Sequence, residues 1–150
     1  MGSRAPSSQR LISVQRPWRV AGAPTPAIRE HVILDMQALV QSRANALIIG
    51  HPFAVRHILA SFLPSLEKSV LWAEGARLSL PVGYSGTLIL EDSDRLNERD
   101  QAVLLGWLND RGRSVRVLTT ASRPLFPAVE AGSFLGQLYY RLNHVLIAVD

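Results

Sequence analysis

The chain contains no cysteine. Disulfides, thiolate nucleophiles and cysteine-ligated zinc are therefore excluded, and the redox compartment is left open. No apolar run approaches the ~20 residues that a membrane-spanning helix needs, so no membrane association is expected. The apolar core segment of a signal peptide is missing as well. His31, His51, His57 and His144 show no metal-ligand spacing with carboxylates. Ser79, Ser85 and Ser93 lack the G-x-S-x-G setting of a nucleophile elbow. Acid is absent from residues 1–26, which carry Arg4, Arg10, Arg16 and Arg19. The remaining twelve basic residues are balanced by twelve acidic ones in residues 27–150, so the net charge of +4 belongs to the amino-terminal segment. The folded part is not expected to bind DNA directly.

What is present fits one soluble-type domain: 150 residues, 47% hydrophobic and 19% charged. Residues 1–26 are rich in Ser, Pro, Ala and Arg without periodicity, the composition of a disordered basic tail. That composition is also like an organellar transit peptide, although no clear amphipathic helix is present. A basic arm on DNA and an inert tail are both open readings.

From residue 27 the pattern changes. Thr25-Pro26 is a good helix start, and Ile28, Val32, Met36, Leu39 and Val40 then share a helical face, with an end near Ser42. Ala46 to Ile49 reads as a buried strand ended by Gly50. Pro52 to Leu63 reads as a helix stopped by Pro64, and Ser69 to Ala73 as a strand with a turn at Glu74-Gly75. Asn97 can cap a helix from Glu98 to about Asn109. Val115 to Thr120 predicts a strand, Phe126 to Gly132 and Phe134 to Leu142 short helices, and Val145 to Val149 a last strand. Short apolar strands alternating with helices argue for an α/β fold with a parallel sheet covered on both faces.

The stretch around which the chain is organised is SGTLILEDSDRL, Ser85 to Leu96. Thr87 to Leu90 form an apolar run with no polar alternation, as in a strand buried on both faces. Glu91 and Asp92 follow at its carboxyl end. Open α/β sheets place ligands there, which suggests a metal-phosphate site. An acidic loop capping the next helix is the plainer alternative.

In their order these motifs resemble the ATPase domain of sigma-54-dependent transcriptional activators, a branch of the AAA+ P-loop ATPases. The resemblance covers about residues 23–149. It is carried by SGTLILEDSDRLNERDQAVLLGWL, where the family has GGTLFLDE and then a helix with Gln-Ala and paired leucines, here Gln101, Ala102, Leu104 and Leu105. It is also carried by VRVLTTASRPL and EAGSFLGQLYYRLNHVLI, where LYYRLN, Leu138 to Asn143, is specific to this branch. APTPAI at Ala23 to Ile28 is similar to the family's lead-in segment. The resemblance implies a three-layer AAA+-like core over residues 27–150 with a five-stranded parallel sheet of order 5-1-4-3-2. The chain ends where the family's helical lid would begin, so a lidless core is expected.

The departures concern the chemistry. Without gaps, Gly50 falls on the first phosphate-loop glycine, Phe53 and Val55 on the next two, Arg56 on the lysine and His57 just after it. A phosphate loop needs glycines so that backbone N–H groups can close on phosphate, and β-branched Val resists positive φ. Pro52 removes a donor, and Arg is not interchangeable with Lys in a tight cradle. The family's Asp-Glu pair becomes Glu91-Asp92, which moves both carboxylates by about a methylene, and ~1 Å of misplacement can cost ~100-fold in rate. These two would hold Mg²⁺ if any is held. Ser122 replaces the sensor Asn, and Leu135 replaces the first finger-region arginine, while Arg141 occupies the second. Arg141 is either a group projecting toward a neighbouring subunit or a structural arginine on its helix. Between Val70 and Thr87 there is only a short segment, without the family's GAFTGA loop.

The expected function is a degenerate, non-catalytic relative of sigma-54 activators that regulates transcription through protein contacts in the cytoplasm. No cofactor is required by this reading, and ATP with Mg would bind weakly or not at all. A full-length sigma-54 activator, another AAA+ protomer or a further copy of the chain is the expected partner. The alternatives are a slow ATPase using Arg56, Glu91 and Asp92, and a structural assembly module without nucleotide.

Overall fold

A computed structural model of the chain describes residues 29–66 and 69–149. The basic tail expected over 1–26, the helix start at Thr25-Pro26 and Ile28 lie outside the described residues.

Helix α1 runs Glu30–Gln41 and buries Val32, Met36 and Leu39, three of the periodic apolar positions. Ser42 ends it in extended conformation, its N–H donating to the carbonyls of Ala38 and Leu39. Strand β1, Ala46–Gly50, follows, and helix α2 begins at Pro52 and ends at Phe62. A 3-10 turn at Leu63–Ser65 forms where Pro64 cannot continue the helix. Strand β2 is Val70–Glu74 and strand β3 is Gly86–Glu91. Both run one residue beyond the apolar stretch, because Glu74 and Glu91 stay in register with each other. Helix α3, Glu98–Arg111, is capped by Asn97, whose Oδ1 accepts from Asp100 N–H at 2.7 Å. It stops at Gly112, which adopts φ 56°. Strand β4 is Val115–Ala121. The two short helices are trimmed relative to the sequence pattern, to α4 at Phe126–Glu130 and α5 at Gly136–Leu142. Gly132, at φ 82°, interrupts them. Strand β5 is Val145–Val149, as the pattern predicts.

The five strands form one parallel sheet in the order β5-β1-β4-β3-β2, which is the order the resemblance implies. One face packs Ala46, Ile48, Ile89, Leu118 and Ile147 against Val32, Met36, Ile58 and Leu59 of α1 and α2. The other packs Leu47, Leu88, Leu90 and Val117 against Leu104 and Leu108 of α3 and Leu138 and Leu142 of α5. Continuous apolar runs in β1 and β3 are what a sheet covered on both faces requires, and β4 is buried throughout although it carries Arg116, Thr119 and Thr120. The β2–β3 connection is folded back on α3 by Trp107, whose Nε1 donates to Pro81 O at 2.6 Å. Tyr84 stacks on the same indole at 6.4 Å. Among the described residues, no helix is long and apolar enough to cross a membrane.

Candidate functional site

All strands point the same way, so β1, β3 and β4 end side by side. Their carboxyl ends and the start of α2 bring together Gly50, Pro52, Val55, Arg56, Asp92, Thr120, Ala121 and Ser122 around one cleft. Most of the residues that sequence reasoning selected therefore meet. His57 sits one position further along α2, half-buried. Glu91, the last residue of β3, is buried beside the cleft.

The β1–α2 connection decides what the cleft can hold. Gly50 is still in the strand and Pro52 is already helical, so His51 alone makes the turn. The positions that align with loop glycines, Phe53 and Val55, lie inside α2. The first-turn donors of this helix are already reduced: Pro52 has no N–H, and Phe53 N–H donates to His51 Nδ1 at 3.2 Å. Gly50 has a packing reason to be glycine, since a Cβ there would run into the carbonyl oxygen of Val149 on β5.

Arg56 reaches back from α2 to Glu91, with Nε 3.7 Å from Oε2. The arginine side chain is 39% exposed and the carboxylate 6%. The basic group at the lysine position thus contacts the acid that would face a metal-bound phosphate. Asp92 is the single described non-glycine residue with positive φ, at φ 56° and ψ 50°. Its N–H donates to Thr120 Oγ1 at 3.1 Å. Asp and Asn tolerate this left-handed geometry better than other side chains. Ser122 Oγ donates to Asp94 Oδ2 at 3.3 Å, and Arg123 Nε lies 3.6 Å from the same oxygen. Ser122 therefore engages the acid two positions beyond Asp92.

The cleft encloses about 10 Å³, room for roughly one water molecule. A one-residue turn and a helix start whose first donors are missing or already bonded differ from a glycine-rich phosphate loop. The described residues include no group of three or more Asp, Glu or His side chains placed to hold a metal ion.

Arg141 lies away from the cleft, on α5. Its Nη1 donates to Asn109 Oδ1 at 2.5 Å and its Nη2 to Leu108 O at 2.7 Å, so it caps the carboxyl end of α3. Leu135 is the N-cap of α5 and is 40% exposed. Its N–H donates to Gln101 Oε1 at 2.8 Å. Gln101 also donates through Nε2 to Leu96 O and Ser133 O, tying α3 to the segment before α5. Thr120 and Asp94 were not selected from the sequence. A hydroxyl at the end of an apolar strand, as in VRVLTT, and an acid two residues past the Glu-Asp pair are the signals that point to them.

The residues from 27 to 150 match the family model of the sigma-54 interaction domain. Among solved structures, the chain is similar to NtrX from Brucella abortus in complex with ATP. The TM-score is 0.63 at 16% identity, over 96% of this chain and 39% of that one. It is also similar to the P-loop NTPase domain of the sigma-54 transport activator from E. coli. That match has a TM-score of 0.56 at 19% identity, over 81% of this chain and 96% of that one. The chain thus spans about two fifths of the length of NtrX. No curated protein matches it in sequence. With the sheet order and the strand-end cleft in place, the chain belongs to the sigma-54 interaction domain family and has its AAA+ P-loop-like fold.

Proposed function

We propose that this domain is a non-catalytic member of its family that acts in transcriptional regulation through protein contacts in the cytoplasm, with weak or no ATP binding. The observation that carries the reading is the Arg56–Glu91 contact across a connection reduced to His51. Where a working site needs a glycine loop and a lysine facing a metal-bound phosphate, this chain sets a guanidinium against the carboxylate. The partner is a full-length sigma-54 activator or another AAA+ protomer, with a second copy of the chain as the other possible assembly. The α4–α5 face suits such a contact. Phe126, Leu135 and Tyr140 are exposed there, and the rings run in contact from Phe126 to Tyr139 at 5.7 Å and on to Tyr140 at 5.1 Å. Clustered aromatics of this kind dominate binding energy at protein interfaces.

Titration with ATP and Mg²⁺ tests the nucleotide half of the reading. Any ligand that favours the native state must raise its stability. The expected result at millimolar ligand is no heat and no rise in Tm. A saturable rise in Tm overturns it. Mixing tests the other half: an excess of this protein should change the ATPase rate or oligomer size of a cognate activator, and Tyr140→Lys should weaken that effect.

A second reading, a slow ATPase, is favoured by one observation: Arg56, Asp92 and Ser122 still line a single cleft beside Glu91. Phosphate release that disappears in Glu91→Ala would establish it. The third assembly-module reading predicts neither nucleotide binding nor an effect on an activator.

A further inference from the structure

Helix α2 opens beside the strand-end cleft, and helix starts attract oxyanions. The first N–H groups of a helix have no partner within it and carry the positive end of its dipole. In α2 these donors are taken up one by one. Pro52, the first helical residue, has none. Phe53 N–H donates to His51 Nδ1 at 3.2 Å. Val55 N–H donates to His51 O at 3.0 Å and closes the first turn. Of the positions from Pro52 to Val55, Ala54 alone keeps an N–H that makes no hydrogen bond within the described residues.

An oxyanion at a helix start is held by adjacent N–H groups acting together. Here that pair would be Phe53 and Ala54, and the imidazole of His51 takes one of them with an acceptor from the chain itself. The backbone does not ask for a histidine at this place. His51 has φ −59° and ψ 133°, a conformation open to ordinary residues, and it is exposed. A cation that could accompany an anion is close by: Arg56 lines the same cleft one turn further along α2, with Glu91 as its present partner. Asp92 lines the cleft too and opposes an anion, so any phosphate site released there is weak. We infer that His51 guards the strand-end cleft against oxyanions: its Nδ1 occupies the helix-start donor that a phosphate oxygen would otherwise take.

His51 thereby adds a named residue to the reading of weak or no ATP binding, on which the assignment rests. Inorganic phosphate is the probe, added at constant ionic strength to the full chain and followed through the amide NMR signals of Phe53 and Ala54. His51→Gly removes the acceptor and keeps a tolerated N-cap, whereas His51→Ser removes the imidazole and restores an acceptor. Competition from one ordinary hydrogen bond is worth about fivefold in affinity. His51→Gly should therefore bind phosphate about fivefold more tightly than the parent, with shifts centred on Phe53 and Ala54. His51→Ser should stay with the parent. Equal affinities in the parent and His51→Gly overturn the assignment. So does an equal gain in His51→Ser, which would make the bulk of the imidazole the cause, and so do shifts that spare Phe53 and Ala54. Should His51→Gly fail to fold, His51→Ala removes the same acceptor and carries the same test. The two failures are separable. A parent that answers to ATP overturns the reading; a parent blind to ATP whose His51→Gly variant gains no phosphate affinity overturns the role of His51 alone.

Discussion

At the amino end of the sheet, buried side chains close short hydrogen bonds; at the carboxyl end, charged groups meet at longer range. Asn45, just before β1, accepts from Val117 N–H at 2.8 Å and donates to Arg141 O at 2.8 Å, joining β4 and the end of α5. Arg116, 3% exposed on β4, donates to Leu39 O at 2.8 Å and Ser42 O at 2.7 Å, capping α1. At the other end the contacts are Arg56–Glu91 at 3.7 Å, Arg123–Asp94 at 3.6 Å and Ser122–Asp94 at 3.3 Å, beside a left-handed Asp92. Short bonds between fixed, desolvated partners contribute stability, and long contacts between partly exposed ions contribute little. The difference teaches that the amino end is built to hold the fold, while at the carboxyl end the charged groups around the strand-end cleft face one another and are bound less tightly.

Substitution breaks the comparison if the two ends respond alike. The largest loss is expected at Arg116. Arg116→Met takes the guanidinium from the Ser42 carbonyl and from the Leu39 carbonyl, which keeps its bonds from Ser42 N–H and Oγ, and should cost about 3 kcal/mol by urea denaturation. A loss below ~1 kcal/mol would show that water caps α1 equally well. Next comes Asn45→Ala, which removes one buried and one part-buried hydrogen bond and should cost about 2 kcal/mol, with an unchanged m-value. Removing the Arg56 side chain should cost less than either, because its contact is long and the group is partly exposed. If Arg56→Met is as damaging as Asn45→Ala, the carboxyl end has been rebuilt as a structural element and the contrast fails.

Much of the fold was legible, because the signals are local. LIL in β3, VLIAV in β5 and the Asn97 cap are each read within a few residues, and each stands where the pattern put it. The sheet order was not local; it came with the resemblance carried by LYYRLN and its companions. The stabilising polar groups were illegible for the opposite reason. Arg116 and Asn45 meet partners more than seventy positions away in sequence, and nothing beside them marks the pairing. The cleft was half legible. Gly50, Arg56, Asp92 and Ser122, singled out in the sequence, line it together, since strand ends in a parallel sheet converge. That His51 alone turns the chain, and that Ser122 faces Asp94, depend on side-chain geometry that spacing does not encode. Arg141 had two readings, and its guanidinium bonds at the end of α3 now fill one of them.

The smallest expected effect, at Asp92, sharpens the comparison most, because its sign is opposite. The residue is held at φ 56° from several sides. Its N–H donates to Thr120 Oγ1, and Gly75 N–H donates to Glu91 O at 2.7 Å. Gly75 approaches so closely that a Cβ there would strike the Asp92 carbonyl oxygen. The backbone would keep this shape if the side chain were removed. Left-handed geometry costs an ordinary L-residue roughly 1–2 kcal/mol and aspartate somewhat less, whereas glycine adopts it freely. Glycine also gains unfolded-state entropy, which offsets part of the relief. Asp92→Gly should therefore raise stability by about 0.5 kcal/mol, measured by urea denaturation of parent and variant together. A loss instead would mean that the Asp92 carboxylate holds the strand end in place. A gain would mark a position where a strained acid persists without helping the fold, as expected at the remnant of a site selected for chemistry. At the amino end no such gain is expected at Asn45 or Arg116, because each closes two bonds the fold uses.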